Sequence, residues 1–561
     1  MQAVGPQGAD RKLRWQEDMS MAGISTGASF VQRSLTKGRG LVRVVGFLGA
    51  AIFGIQCISL SSSGLLPFST VAGLWPGANL VSILTIAMIL CLFHAYTYAV
   101  MGTLAPYSGA DYVVSTRVLS RPLGFAASWT LVIFSALVAG SLIALIPQST
   151  IPTLLRILGT VTEDSSLVEM AASAASQDGV ILIGTICTVI AFVGTILPAR
   201  TIQRILGGGL ILGIAGWGIL YYQMLSVPTS AFPAAWDRFM GAGSYGLQIT
   251  LAAANGMQMV TNPASVTLAG LLVGFWIFYG YFIPTFFAGE VKKPGRNLLA
   301  GSWVSLIFTW AIFIGATMIL WRLVPPQWLS AQSYLYQTGQ TETAMPWIIF
   351  YGAILRPNIY LVGVVSLAWV VTLINLVQTY FMYCSRIILA WAKDGLVPFG
   401  IDYVHPSLRS PMLAVLIVAI LAQFGVTDAA QGGALGSQLN FVFFVVCAQL
   451  VPVAAMTFFP FLRKEWFEAA SPLVRLKVGR VPVITVMGGI TLVYLLWLIV
   501  SSFLFPAVGG TLRAGSLVIF AVMFGSGLVW YFMRMTYFRV RGRSLAQEMS
   551  TMPAVEDEAE A

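Results

Sequence analysis

The chain has 561 residues, 57% of them hydrophobic and only 9% charged. Soluble domains carry about 25% charged residues, so a soluble globule of this size is excluded: it could not cover its own surface. The net charge of +10 does not point to nucleic acid, because the basic residues sit at the ends of apolar runs, where they act as topology signals.

Runs such as Leu80–Leu92, Leu361–Leu376 and Val483–Leu504 approach the roughly 20 residues that cross a hydrocarbon core about 30 Å thick. A membrane β-barrel would instead show short alternating segments. The expected fold class is an all-α multi-pass membrane protein with about 12 transmembrane helices. Their centres fall near Gln56, Met88, Phe134, Val189, Gly216, Phe278, Phe313, Asn375, Val418, Ala448, Tyr494 and Met523, and the eighth extends toward Asp394.

Residues 1–38 have no apolar core before a cleavage site, so they are expected to form a cytoplasmic tail rather than a secretory signal. Residues 39–228 hold helices 1–5, 267–463 helices 6–10, and 464–540 helices 11 and 12. Residues 541–561, ending in the acidic stretch Glu556–Glu560, form a second tail. Between the first two blocks lies an extracellular connection, 229–266. Its weakly apolar stretch Gly243–Gly256 suits an interfacial or re-entrant helix. The other long outer connections are 147–178 and 323–357. With both termini in the cytoplasm, 26 of the 31 Lys and Arg residues lie inside, and only Arg156, Arg238, Arg322, Arg356 and Arg513 lie outside. The opposite orientation inverts that bias. The cell membrane is the expected location.

Several function classes drop out. The five cysteines all fall in apolar segments and read as small buried hydrophobes; no Cys/His cluster suggests a metal. No phosphate loop of the G-x-x-x-x-G-K-[ST] type is present, and the inner loops are too short for a catalytic domain. No cluster of catalytic side chains sits at membrane depth, so the chain is not expected to be an enzyme or to need a cofactor. No polar stripe repeats along the spans as in a channel.

Two spans are internally broken. The first contains Ser59-Leu60-Ser61-Ser62-Ser63-Gly64-Leu65-Leu66-Pro67, rich in poor helix formers. The sixth, within Gly274–Asn297, carries Gly280 and Pro284 before the polar cluster Glu290-Val291-Lys292-Lys293-Pro294. Unpaired backbone groups are expensive in lipid, so a broken helix persists only where it lines a protein cavity, as in secondary transporters. Freed amides at a half-helix N-terminus suit a carboxylate, and freed carbonyls suit an ammonium group or cation. The plainer alternative is that the serines bond back to the helix and kink it.

The sixth span resembles that of the amino acid–polyamine–organocation superfamily of permeases. So do Ser62-Ser63-Gly64 (a Gly-Ser-Gly-like break), Pro106-Tyr107-Ser108-Gly109-Ala110-Asp111-Tyr112, Gly124-Phe125-Ala126-Ala127-Ser128-Trp129, and Ser385-Arg386 followed by Lys393-Asp394-Gly395-Leu396-Val397-Pro398. The resemblance implies two inverted repeats of five helices, each opening with a broken helix (1 and 6), plus two peripheral helices. It implies a secondary active amino acid transporter working by alternating access, as a symporter or exchanger. A non-transporting sensor on the same fold and an amine or polyamine transporter are the alternatives. By the family pattern, the amides of Ser62, Ser63 and Gly64 hold the substrate carboxylate. Carbonyls near Leu60, Trp276 and Tyr279 take the amino group, and Trp276, Phe278, Tyr279 and Phe282 line or gate the pocket beside Gly280; simple packing is the alternative for these aromatics.

Two familiar proton-linked groups are absent: Phe282 stands where some relatives carry a glutamate, and Gly207–Leu225 contains no helix-five lysine. No carboxylate is expected deep in any span, which favours neutral or apolar amino acids over arginine or polyamines. The coupling ion is left as H+ or Na+. His94 offers a proton relay or a neutral packing residue. Ser385 offers a cation ligand, with Arg386 an awkward neighbour, and Tyr380 a gating aromatic. Glu290 is expected to pair with Arg117 or Arg386 at an inner gate. The partners implied are a small amino acid substrate and the lipid bilayer, with the oligomeric state left open.

Overall fold

The computed structural model describes residues 41–259, 263–340, 346–398, 400–506, 511–550 and 552. The expected tail 1–38 and the acidic Glu556–Glu560 lie outside these. Long apolar helices dominate. The first break separates α1 (Phe47–Ile58) from α2 (Ser62–Leu66), which continues through a wide π turn at Pro67–Val71 to Leu74. Then come α3 (Leu80–Leu104), α4 (Arg121–Leu145), α5 (Gln177–Ile196) and α6 (Ala199–Leu225), followed by the short α7 (Pro263–Ile277). After the second break follow α8 (Pro294–Leu323), α9 (Ile359–Lys393), α10 (Met412–Ala430), α11 (Phe441–Leu462), α12 (Val483–Leu504) and α13 (Ala514–Val540). The strands named among the described residues form a two-residue hairpin, Lys477–Val478 with Val481–Pro482.

Ten of these helical runs are long and apolar enough to span a bilayer, and the pair α1 and α2, bent by 42°, is an eleventh. Helix α7 is too short alone; its path continues through the irregular stretch to Glu290. Eleven of the twelve expected centres fall on these helices, the twelfth, Phe278, lies one residue past the end of α7, and α9 runs 35 residues to Lys393, as its sequence suggested. Short polar caps fix several starts: the Asn79, Ser176, Asn358 and Asn440 side chains accept backbone N–H groups of the first turn, where the helix leaves amides unpaired.

Two connections differ from expectation. The third span does not end near residue 145 but runs continuously to Thr162, 42 residues in all. A π turn at Ile146–Thr150 absorbs Pro147, whose missing N–H would interrupt a regular α ladder. The stretch 243–256 folds as the helix Ser244–Ala254, seated on a second connection helix, Pro326–Gln337.

The packing pairs show a pattern that a single chain order would not produce by chance. Helices α1 and α8 pack together, as do α7 and α3; α4 packs on α10, and α9 on α5; α6 packs on α9, and α11 on α4. Exchanging the first five spans for the second five maps each pair onto its partner. Five is odd, so the second set starts from the opposite side of the bilayer, which is the inverted arrangement. The last two helices lie at the edge: the apolar window of α13 is only 22% buried.

The closest crossing is α4 on α10. A Cβ on Gly140 would lie 1.9 Å from the Ala422 carbonyl oxygen, and one on Gly425 would lie 2.1 Å from that of Leu137. Small residues at such crossings let backbones pack without lipid between them. Replacing Gly140 with Leu should cost about 1–3 kcal/mol or more through overpacking, read as a lower melting temperature and a loss of monodisperse protein in detergent.

Candidate functional site

The two breaks meet. Helix α1 ends where Ser59 adopts φ 65°, a left-handed conformation that a non-glycine residue takes only under constraint. The constraint is local: the Ser59 hydroxyl lies 2.9 Å from that of Ser61 and accepts the Ser62 N–H at 3.3 Å, while the Ser63 hydroxyl donates to the Ile58 carbonyl at 2.5 Å. Opposite this turn, Gly280 adopts φ 132°, and a Cβ there would lie 2.5 Å from the Cys57 carbonyl carbon and 2.6 Å from the Ile58 nitrogen. No side chain larger than hydrogen fits between the two backbones.

Around this contact sit the residues expected to bind substrate. Leu60, Ser63, Trp276, Phe278, Tyr279 and Phe282 are all buried. Trp276 stacks on Tyr279 with ring centroids 5.1 Å apart, and Phe282 contacts Tyr279, Tyr98, Tyr281 and His94. Phe278 faces away from that group, toward Phe313 at 6.2 Å.

One residue with no sequence signal intrudes. Trp217, on α6, donates its indole N–H to the Leu60 carbonyl at 3.1 Å. Its ring covers Gly64, where a Cβ would meet it at 2.6 Å. The Leu60 oxygen therefore has one lone pair in use, and the Ser62 amide is held by Ser59. The first break is thus partly satisfied by the chain's own groups, which occupy positions expected for substrate.

At one end of the bundle the broken sixth segment is sewn shut. Val44 and Val45 donate their N–H groups to the Glu290 carbonyl at 3.0 and 2.9 Å, Lys292 donates to Val45 O at 2.8 Å, and Gly109 donates to Phe286 O at 2.7 Å. The Glu290 carboxylate accepts from Arg386 Nε at 2.9 Å, both side chains nearly inaccessible. Arg386 also donates to the Ser385 hydroxyl at 3.3 Å, which itself donates to Met382 O, so Ser385 is committed beside a guanidinium. Of the two arginines expected for Glu290, Arg386 takes it. Arg117 instead holds Asp394 in a bidentate pair at 2.7 and 2.8 Å, joined by the Tyr112 hydroxyl at 2.5 Å. Asp394 lies within reach because α9 runs on past the bundle to Lys393.

The motif Lys393-Asp394-Gly395-Leu396 is thus a docking point. Besides Arg117, it receives Arg534 Nε on Gly395 O at 3.0 Å and the Trp530 indole on Leu396 O at 2.7 Å. At the other end of the bundle, Gln337 of the connection helix donates to Ser69 O at 2.6 Å, and Ser333 crowds Gly73.

His94 is buried, with Nδ1 hydrogen-bonded to the Tyr281 hydroxyl at 2.6 Å and Nε2 without a partner. Tyr380 contacts the Tyr383 ring at 5.3 Å. Two carboxylates are buried within the protein, Glu290 at 1% and Asp111 at 3% exposed, although neither sits in one of the long apolar helices. Asp111 escaped notice because it sits in the loop motif between α3 and α4, and only the tertiary fold tucks that loop inward.

The pattern of the amino acid permease family matches residues 40–529. The chain belongs to that family. This permease is 23% identical to the branched-chain amino acid permease of Bacillus subtilis (strain 168), over 67% of this chain and 72% of that protein. It is 20% identical to the methylthioribose transporter of the same organism, over 69% and 75% of the two chains. It is 22% identical to cationic amino acid transporter 3, mitochondrial, of Arabidopsis thaliana, over 63% and 52%. Family and relatives together mark the permease as a multi-pass membrane amino acid transporter rather than an enzyme.

Two outcomes follow for the permease. Gly280→Leu should abolish substrate binding while leaving membrane insertion intact, checked by ligand-induced thermal stabilisation of the purified variant. Arg386→Ala strands a buried carboxylate and should cost about 3–5 kcal/mol. Arg386→Met with Glu290→Leu should recover most of that stability and hold the end more firmly closed, read as slower labelling of a cysteine introduced at Ser108.

Proposed function

We propose that this permease is a secondary active transporter of neutral or apolar amino acids that works by alternating access around the meeting point of its two breaks. The observation that carries the reading is the Gly280 contact with Cys57 and Ile58. It joins the two half-helix ends, the amides after Ser59 and the carbonyls before it, in one buried place lined by Trp276, Tyr279 and Phe282. Such a place offers an anion-friendly and a cation-friendly pole a few ångströms apart, which suits a zwitterion. An uncharged aromatic wall suits an apolar side chain, as does the substrate class in the name of the branched-chain relative.

Transport requires each end to open in turn. The Glu290–Arg386 and Arg117–Asp394 pairs close the end that the bias of Lys and Arg assigns to the cytoplasm, with both termini on that side of the cell membrane. Opening there must break Gly109–Phe286 and Val45–Glu290. Opening at the other end must separate Gln337 from Ser69. For the substrate carboxylate to reach Ser62, Ser63 and Gly64, Trp217 must swing off Gly64. Tyr380 and Ser385, close to the gate pairs on α9, act in gating rather than in substrate contact.

A second reading has one observation behind it. Buried Asp111 is the kind of group that an amine or cationic amino acid would seek, and a cationic amino acid transporter is among the relatives.

The test is uptake into proteoliposomes of pooled labelled amino acids, with leucine, arginine and a polyamine also run singly, under an imposed proton gradient, a sodium gradient, or internal preloading. Gradient-driven accumulation of leucine is the expected result. Uptake only into preloaded vesicles makes the protein an exchanger. Preference for arginine or the polyamine favours the second reading, and binding without flux makes it a sensor. Trp217→Phe should keep the packing but lose the bond to Leu60, raising the rate of exchange.

A further inference from the structure

Neither the gate pairs nor the substrate reading uses Asp111. It lies in the short helix Ala110–Val114, which opens at Gly109 with φ 64°, and its Oδ1 has no hydrogen-bond partner. Three groups from other elements lie within electrostatic reach: Tyr98 of α3, Tyr279 of the sixth break and Cys384 of α9. The Tyr98 and Tyr279 hydroxyls are also buried without partners. No cation answers the carboxyl. Arg117, six residues on, is spent on Asp394, as is Tyr112. Helix α11, packed against the same segment, has no charged residue from Phe441 to Leu462, Cys447 being its one titratable side chain; α4 brings only Arg121, and Ile283–Phe286 brings none. The next titratable group inward is His94, whose ring lies 4.6 Å from that of Tyr98.

A carboxylate buried without a counter-charge is far costlier than its protonated form, so a buried acid that gains and loses contact with water can take up and release a proton. The position also links to the gate. Gly109 N–H bonds Phe286 O, and Ser108 bridges to Phe287, so the segment bearing Asp111 is held against the sixth break only while this end is shut. Breaking those two contacts admits water to the carboxyl.

We propose that Asp111 is the protonation site that couples transport to a proton gradient: it holds a proton while the Glu290 end is closed and releases it from the carboxyl to cytoplasmic water when that end opens. Each cycle then carries one proton inward with the substrate, and Asp111 is reloaded when the opposite end opens. This rests on the transporter reading above.

The experiment compares wild type, Asp111→Asn, Asp111→Glu and His94→Gln in proteoliposomes, using the pooled labelled neutral amino acids. Two readouts are taken: exchange against preloaded substrate, and accumulation driven by an inward proton gradient. In wild type both are expected. In Asp111→Asn, exchange persists and gradient-driven accumulation falls to the level of protein-free vesicles; Asp111→Glu and His94→Gln retain both. The proposal is overturned if Asp111→Asn still accumulates substrate under the gradient, if folded Asp111→Asn loses exchange as well (making Asp111 a substrate ligand), or if His94→Gln alone loses the gradient response. It also fails, with the transporter reading intact, if wild type exchanges but responds only to sodium or to no gradient. Absence of exchange, accumulation and binding in wild type defeats the transporter reading itself. Should Asp111→Asn not fold, the pH dependence of exchange decides: a midpoint displaced between wild type and Asp111→Glu supports the site, and superimposable profiles overturn it.

Discussion

The approach of Gly280 to the Cys57–Ile58 peptide is the constraint on which the rest depends. Two chains that abandon helical geometry inside a membrane must satisfy their loose polar groups within the protein. Here the Ser59, Ser61 and Ser63 hydroxyls supply part of the answer for the first break, and the Trp217 indole on the Leu60 carbonyl supplies more. A β-carbon at position 280 would push the sixth segment off the first and expose backbone that lipid cannot solvate. The surrounding aromatics, Trp276, Tyr279, Phe282 and Trp217, can then pack closely because the backbones between them are fixed.

From that centre the structure divides into a tight interior and a latch. The latch is ionic. Arg117–Asp394 joins the two repeats, Glu290–Arg386 joins the sixth segment to α9 within the second, and each pair is largely hidden from water. Buried pairs contribute little net stability, because desolvation of both ions offsets their attraction. In the proposed alternating-access cycle their value lies in specificity: opening the end would return both partners to water, which would keep the closed and open forms close in free energy. Hydrophobic residues at the same places would hold the end shut more firmly. The docking of Arg534 and Trp530 on Gly395 and Leu396 ties the peripheral α13 to the same corner.

Some of the site was legible in the chain and some was not. Gly280, Pro284 and the serine run announce themselves because poor helix formers inside an apolar span have few other uses. Glu290 and Arg386 were legible as gate candidates because charge is so scarce here that each instance at a span end stands out. Trp217 was not, since one tryptophan in an apolar helix reads the same whether it faces lipid or a neighbouring carbonyl. Asp111 was misjudged for a similar reason: it looked like a loop residue, and its burial depends on a backbone bond between Gly109 and Phe286, residues remote in the chain. The third span ran longer than expected because a π turn let prolines continue a helix that they usually end.

The sequence by itself determined the class of molecule, the order of its apolar helices and the two places where helices break, because these follow from local hydropathy and backbone propensity. Tertiary structure alone decided which arginine answers Glu290, which carboxylate is left without a cation and which indole covers Gly64. Those outcomes depend on distances between residues far apart in the chain, and no local pattern encodes how two such helices rotate against each other.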